Sequence, residues 1–189
     1  MDQNKMIEGI RLFLEGAGAT FANGHLDETP KRVARAWAGE LLAGYRSDPA
    51  EALTWTATKD GGGPVLVRDI RMASVCVHHL LPFFGVAHVA YVPATRLAGL
   101  SKIGRVVEML ARRLQIQEML SDQIADVLDR VLEPHGILVM LEAEHTCMTL
   151  RGARKESSRL VTLAARGTLE HDLAARGEIL QLLGRRPGG

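Results

Sequence analysis

Apolar side chains recur every three or four positions in the first part of the chain. This period holds over residues 4–14 and again over residues 29–42, so it predicts two amphipathic helices. The stretch that follows, 47–64, contains Pro49 and three consecutive glycines. Such a composition predicts an exposed, mobile connection between the helices and the rest of the chain.

From Val65 onwards the pattern changes to an alternation of apolar and polar residues. The alternation predicts a strand over 65–75 and a second one over 85–93. The helical period returns over 100–132 with a break near 115–117, which predicts two consecutive helices. Two more strands and a last helix are predicted over 136–152, 158–169 and 170–183.

This order of elements indicates the fold class. Strands in adjacent pairs, with helices segregated between the pairs, favour an α+β domain with an antiparallel sheet over an alternating βαβ fold. Neither a G-x-G-x-x-G after a strand nor a G-x-x-x-x-G-K-[ST] occurs, so nothing supports a dinucleotide-binding or P-loop fold. We predict one domain over 1–189, with N-terminal helices and linker in 1–63 and the α+β core in 64–189.

The composition narrows the function classes. The chain is 47% hydrophobic and 24% charged with a formal net charge of +1, which is typical of a globular protein and not of a nucleic-acid or membrane binder. Aromatic residues make up only 4%, so stacking platforms for single-stranded nucleic acid are scarce. No secretory signal or membrane span is evident, and we expect a cytoplasmic protein. In that reducing setting Cys76 and Cys147 are expected to be thiols or metal ligands.

Cys76 lies in the stretch SVCVHHLLPFFG beside two adjacent histidines. In an ideal strand Cys76 and His78 share a face, whereas a turn brings Cys76 and His79 together. With Cys147 these two residues form a Cys2His set with a fourth position open, the pattern of catalytic zinc, and ferrous iron suits the same ligands. The alternatives are packing, or a closed Cys2His2 structural site with His78 or His145 as fourth ligand.

The second cysteine lies in LEAEHTCMTLRG, which the alternation predicts to be a strand. Side chains at every second position share a face, so His145, Cys147 and Arg151 are expected on one surface. Cys147 as core filler and Arg151 as a solvated charge are the alternative. Two thiolates reduce the acidifying effect of the metal on water, so a base is needed, and His78 and His145 are the candidates.

Basic and polar residues mark both predicted central helices. Lys102 and Arg105 follow Ser101 in SKIGR, at a predicted helix start where free N–H groups favour an anion. With Arg151 they can form a phosphate clamp, or else they form a solvated helix face. At the helical break, the amide of Gln117 and the carboxylate of Glu118 can recognise a guanine edge or cap a surface helix.

Four segments together resemble the GTP cyclohydrolase I family: DETPKRVARAW, CVHHLLPFFGVAHVAYVP, GLSKIGRVVEMLARRLQIQE and EAEHTCMTLRG. They occur in order from about residue 27 towards the final helix. The resemblance implies a T-fold (tunnelling-fold) subunit, an antiparallel sheet with two consecutive helices on one face and an N-terminal helical region. It also implies a homodecamer of two facing pentamers, with active sites at subunit interfaces.

The resemblance further implies a role for each matching residue. The expected zinc ligands are Cys76, His79 and Cys147, and the expected catalytic histidines are His78 and His145. The positions expected to bind triphosphate are Ser101, Lys102, Arg105 and Arg151, together with Arg32, which is expected to reach a neighbouring subunit's phosphate. The expected guanine-recognition pair is Gln117 and Glu118.

The implied reaction is hydrolytic opening of the guanine five-membered ring of GTP at C8. Zinc-bound water attacks, formate leaves, the ribose rearranges, and closure gives 7,8-dihydroneopterin triphosphate.

Val77 departs from the family, which usually has Glu between the cysteine and the histidines, and Leu160 and Leu163 make the last strand more apolar. A paralogue acting on a related purine nucleotide or stopping at a ring-opened intermediate is one alternative. A non-catalytic nucleotide-sensing or scaffold ring protein with structural zinc is another.

Overall fold

The structure is a computed structural model that describes residues 1–21, 24–59, 62–151 and 158–184. A π-helical segment, Trp37–Leu41, and a 3-10 turn, Ala43–Arg46, follow the second helix. The helices are α1 Gln3–Gly16, α2 Thr29–Ala36, α3 Pro49–Ala52, α4 Leu100–Ala111, α5 Gln117–Leu132, α6 Thr146–Thr149, α7 Thr168–His171 and α8 Leu173–Gly184. The strands are β1 Trp55–Ala57, β2 Val65–Cys76, β3 Pro82–Val92, β4 Arg96–Ala98, β5 Leu114–Gln115, β6 Gly136–His145 and β7 Leu160–Gly167.

The chain divides into two compact units, Met1–Ala43 and Gly44–Gly189. The first unit contains α1 and α2. The second contains the strands, and it includes the segment before residue 60 because β1 pairs with β4 in a small antiparallel sheet. The predicted exposed connection over 47–64 is therefore wrong where α3 and β1 form, and Leu53 between them is buried. Asp60 and Gly61 lie outside the described residues. A single domain over 1–189 stays a prediction.

The main sheet has five strands in the order β5-β2-β3-β6-β7. The four long strands, β2, β3, β6 and β7, pair antiparallel with one another in this order. The short strand β5 pairs parallel to the end of β2 over two residues. The α+β fold class with an antiparallel sheet is thus confirmed, with this short parallel pair added at one edge. The register places Phe83 of β3 opposite both Ser74 of β2 and His145 of β6.

A β-bulge in β2 decides which of its side chains face the core. The register shifts between Val67 and Ile70, and Asp69 within the bulge has a left-handed φ of 57°. An extra residue reverses the alternation of faces. Val67 before the bulge and Ile70 after it consequently both pack against the main core, and Cys76 belongs to that core as well.

The two faces of the five-stranded sheet are covered differently. On the first face α4 and α5 pack side by side on the strands and bury the larger core, including Ile103, Leu128 and Leu141. The second face buries a smaller cluster with α7 and α8, including Leu138 and Ile179. Two consecutive helices on one face are therefore confirmed. None of the described helices is long and apolar enough to cross a membrane.

Strand β6 ends at His145, and this changes the geometry of the segment after it. Phe83 and His145 form the last residue pair between β3 and β6, because β3 begins at Pro82. Without a partner strand the chain turns into α6, where the hydroxyl of Thr146 donates to the Pro82 carbonyl at 2.6 Å. The predicted strand alternation from His145 to Arg151 is therefore wrong, because Cys147 lies in a helical turn.

Candidate functional site

The loop from β2 to β3 brings a thiol and an imidazole together. The amide of Leu80 donates to the carbonyl of Cys76 at 2.9 Å, and the amide of Cys76 donates to the carbonyl of Leu81 at 2.9 Å. Leu80 takes a left-handed φ of 54°, which tightens the reversal. As a result His79 Nδ1 lies 3.8 Å from Cys76 Sγ. The turn that C-x-x-H requires for shared ligation is present.

Cys147 completes the group from the other strand end. The ligand atoms of Cys76, His79 and Cys147 all lie within 4.8 Å of one another. Tetrahedral ligands at about 2.0–2.3 Å from one ion are themselves about 3.5–4 Å apart, so small side-chain adjustments suffice to bind a metal. Among the described residues only these three form such a group, so neither His78 nor His145 stands as a fourth ligand. A Cys2His set with an open position fits the residues present.

The two thiols of the group influence each other. Burial raises the pKa of the Cys147 thiol, and its repulsion and hydrogen bond with Cys76 raise it further. The nearby charge of Arg151 acts in the opposite direction. Two adjacent thiolates repel each other unless a cation lies between them, so binding of a divalent ion and loss of the thiol protons are linked.

His145 is buried at the end of β6, where its ring is held on two sides. Its Nε2 lies 2.8 Å from Oε1 of Gln117, and the ring stacks on Phe83 with a centroid distance of 4.4 Å and an interplanar angle of 6°. Burial lowers the pKa of His145, with the carboxylate of Glu118 opposing that shift. The imidazole is therefore biased towards its neutral form.

His78 occupies a different environment. It is exposed in the β2–β3 loop, with its ring edge-on to His79 at a centroid distance of 6.3 Å. Val77 before it is also exposed, at 40%. Both histidines of the loop are thus exposed, and the loop places His79 within the metal-ligand group and His78 outside it.

The predicted phosphate residues lie on separate elements. Ser101 and Arg105 are exposed and Lys102 is half-buried at the start of α4, whose N-cap, Gly99, provides no side-chain cap. No ion pair engages Lys102 or Arg105 within the part of the chain that the structure describes. Arg151 is exposed after α6, and its charge acts on Cys147. The triphosphate role of these residues stays a prediction.

The two residues predicted to recognise guanine, Gln117 and Glu118, differ in burial. Gln117 is 1% exposed and all of its side-chain polar atoms bind within the subunit, whereas Glu118 is exposed. A base can therefore be contacted at residue 117 only by the backbone. Arg32 lies exposed on α2 in the first unit.

Three residues around Gln117 and His145 were not predicted from the sequence. Phe83 stacks on His145, and Ser121 and Thr162 complete the hydrogen bonds around Gln117. One signal was present: Thr162 is polar at an inward position of an apolar strand, and a buried hydroxyl requires a partner. Nothing in the sequence indicated that the partner would be Gln117.

The chain is similar to proteins of one enzyme family. The family model described as GTP cyclohydrolase I matches residues 6–184. A GTP cyclohydrolase 1 of Halalkalibacterium halodurans is 46% identical over 184 residues, which are 97% of each chain. One of Bacillus cytotoxicus is 47% identical over 175 residues, which are 92% of each chain. Among solved structures, an apo archaeosine synthase QueF-like matches with a TM-score of 0.48 and 15% identity, covering 56% of this chain and 95% of that one.

Proposed function

The chain belongs to the GTP cyclohydrolase I family, and we propose how its residues carry out the hydrolytic opening of the guanine ring of GTP to 7,8-dihydroneopterin triphosphate. The observation that carries the proposal is the convergence of Cys76, His79 and Cys147 from two strand ends. These three residues would hold a divalent metal ion. Two thiolates and an imidazole favour zinc, with ferrous iron as the alternative ion.

A metal ion held there by Cys76, His79 and Cys147 would supply Lewis acidity to the hydrolysis. The protein's own groups must then transfer the protons of several successive steps. Burial lowers the pKa of His145 and its ring is stacked in place, which favours the neutral form that can accept a proton. His78 is accessible in the adjacent loop and is the second candidate for these transfers.

The substrate requires a cationic surface for its triphosphate. We assign this role to Ser101, Lys102, Arg105 and Arg151, with Arg32 reaching the phosphate of a neighbouring subunit. The start of α4, which no side chain caps, supports the assignment, since a helix N-terminus favours an anion beside Lys102 and Arg105. Glu118, with the backbone of Gln117, is assigned to the guanine edge.

The assembly is proposed to be a homodecamer of two pentamers with active sites between subunits, in the cytoplasm. Two observations support an assembly. Strand β7 is an edge of the five-stranded sheet, and apolar Val161 and Leu163 on it are exposed. Leu80, which directly follows His79, and Leu150, three residues after Cys147, are exposed as well. Sedimentation of the metal-loaded protein tests the number of subunits.

The test of the activity is direct. Metal-loaded protein is incubated with GTP, formate is measured, and the nucleotide product is identified by mass. Stoichiometric formate with 7,8-dihydroneopterin triphosphate is expected. Formate with a ring-opened product, or turnover of another purine nucleotide only, would instead favour the specialised paralogue that the exposed Val77 suggests. The same assay on Val77→Glu shows whether that residue sets the outcome.

A further inference from the structure

Gln117 lies at the first position of α5 with its side chain in the core, between the ends of two strands. Its Nε2 is 3.2 Å from the carbonyl oxygen of Leu141 in β6 and 3.0 Å from that of Leu160 in β7. The same nitrogen is 3.2 Å from the hydroxyl of Thr162. Its Oε1 is 2.8 Å from Nε2 of His145. Every polar atom of this amide therefore has a partner inside the subunit.

The partners determine which way the amide points. Backbone carbonyl oxygens can only accept hydrogen bonds, so the NH2 group must face Leu141 and Leu160. A flipped amide would direct Oε1 at two carbonyl oxygens and leave three acceptors facing each other in a buried site. The oxygen of Gln117 therefore faces His145, and His145 must donate to it through an Nε2–H.

The hydroxyl groups nearby agree with this orientation. Ser121 donates to the backbone carbonyl of Gln117 at 3.1 Å, and the hydroxyls of Ser121 and Thr162 lie 2.6 Å apart. Thr162 then donates to Ser121, which leaves its oxygen free to accept from the Gln117 amide. One consistent set of hydrogens thus satisfies the whole buried cluster, and it ends on the Nε2–H of His145.

The other ring nitrogen of His145 is left available. Nδ1 has no hydrogen-bond partner among the described residues, and among those residues no buried side-chain nitrogen or oxygen lacks a partner. Nδ1 is therefore the accessible nitrogen of the ring, in a residue that is 9% exposed as a whole. Stacking on Phe83 fixes the plane of the ring, and the bond to Gln117 fixes its direction within that plane.

We propose that Gln117 is a positioning residue that holds His145 as the Nε2–H tautomer and thereby presents the unprotonated Nδ1 as the proton acceptor. The choice of tautomer follows from the contacts alone. Only the use of Nδ1 in turnover rests on the proposed function. The side chain of Gln117 is 1% exposed and its oxygen bonds to His145, so the effect of this side chain on the reaction is transmitted through His145.

The tautomer can be measured without turnover. Solid-state NMR of sedimented, zinc-loaded protein labelled with ¹⁵N-histidine distinguishes the protonated from the bare ring nitrogen, and His145→Gln identifies the signals. In the parent protein the proton is expected on Nε2. In Gln117→Met it is expected on Nδ1, because an Nε2–H there would be buried without an acceptor. A parent protein protonated at Nδ1, or a variant with the same proton position as the parent, would overturn the proposal.

Turnover provides the second readout, and Gln115→Met is the matched control. Gln115 is also buried, and its amide donates to the Leu110 carbonyl at 2.8 Å and to Gln123 at 2.9 Å, but it does not contact a histidine. We expect kcat to fall about 100-fold in Gln117→Met with KM for GTP within about threefold, and kcat of the control to stay within about threefold. Equal losses in both variants, or a raised KM at unchanged kcat, would contradict a positioning role. A parent protein that does not turn over GTP would refute the proposed function and leave the NMR result standing.

Discussion

His145 and His88 are buried on opposite faces of the same sheet, and their hydrogen-bond partners distinguish the proposed base from an imidazole that a backbone amide occupies. His145 is 9% exposed on the face covered by α4 and α5, and His88 is 7% exposed on the face that α8 partly covers. Burial lowers the pKa of both rings. Burial alone therefore does not distinguish them.

The distinction lies in which ring nitrogen is occupied. Nδ1 of His88 accepts from the backbone amide of Asp69 at 3.3 Å, so its lone pair is used by the β2 bulge. Nε2 of His145 donates to Gln117, so its Nδ1 lone pair is free. In the neutral form both rings therefore carry their proton on Nε2, and we propose His145 as the base because its Nδ1 is not used by a backbone amide. The comparison shows that the hydrogen-bond partner, more than burial, decides what a histidine can do.

The largest expected effect on activity comes from removing a proposed metal ligand on the first face of the sheet. In Cys147→Ser the bound zinc per subunit should fall and turnover of GTP should drop on the order of 10³-fold, since metal catalysis supplies several kcal/mol and each 1.36 kcal/mol is tenfold. Metal analysis and formate release measure the two effects. Turnover that survives the loss of zinc would contradict the assigned ligand set.

Replacing each histidine in turn tests whether His145 and His88 contribute differently to turnover. His145→Gln should lower kcat about 10²- to 10⁴-fold at near-normal zinc content, which is the range of lost acid–base catalysis. His88→Gln should leave kcat within about threefold, because its ring lies on the other face. Steady-state kinetics with zinc analysis on both variants decides the point. Comparable losses would mean that the two histidines do not differ as proposed.

Stability provides a smaller contrast between the two faces. Leu141 faces the larger core and Leu138 the smaller one, and both side chains are fully buried. We expect Leu141→Ala to lower the free energy of unfolding by about 4 kcal/mol and Leu138→Ala by about 2 kcal/mol, because a small cluster beside an exposed surface collapses more readily around a cavity. Denaturant titrations at one fixed protein concentration provide the measurement. A larger loss for Leu138→Ala would reverse this ranking of the faces.

The smallest expected effect is a pH dependence on the second face. Burial lowers the pKa of His88 below its usual value near 6.5, Asp69 and Glu142 oppose this shift, and Arg68 adds to it. The unfolded chain then binds the proton more readily, so the contribution of His88 to stability is full above about pH 6.5 and declines as the pH falls below it. His88→Gln should flatten this part of the stability curve between pH 7 and 5. An unchanged slope would mean that His88 does not contribute.

Much of the fold and of the ligand set was predictable from local patterns. Helical periodicity located α4 and α5 and the break between them, and alternation located β2, β3 and β7. Cys76 and His79 are three positions apart in a turn, so their convergence needed no distant contact. The errors fell where a distant partner decides the structure. The strand predicted through Cys147 stops at His145 because β3 begins only at Pro82, and 47–64 gains β1 because β4 pairs with it.

Residue identity and short-range spacing were sufficient to indicate the family, the α+β order of elements and the chemical types of the proposed metal ligands. The tertiary structure alone decided how those residues are held. The bulge at Asp69 sets which face Cys76 joins, and the pairing of β6 with β3 places His145 on Phe83. The packing of α5 on the sheet brings Gln117 to His145 across 28 positions. Hydrogen bonds between such distant residues depend on strand register and helix docking, which no local pattern specifies.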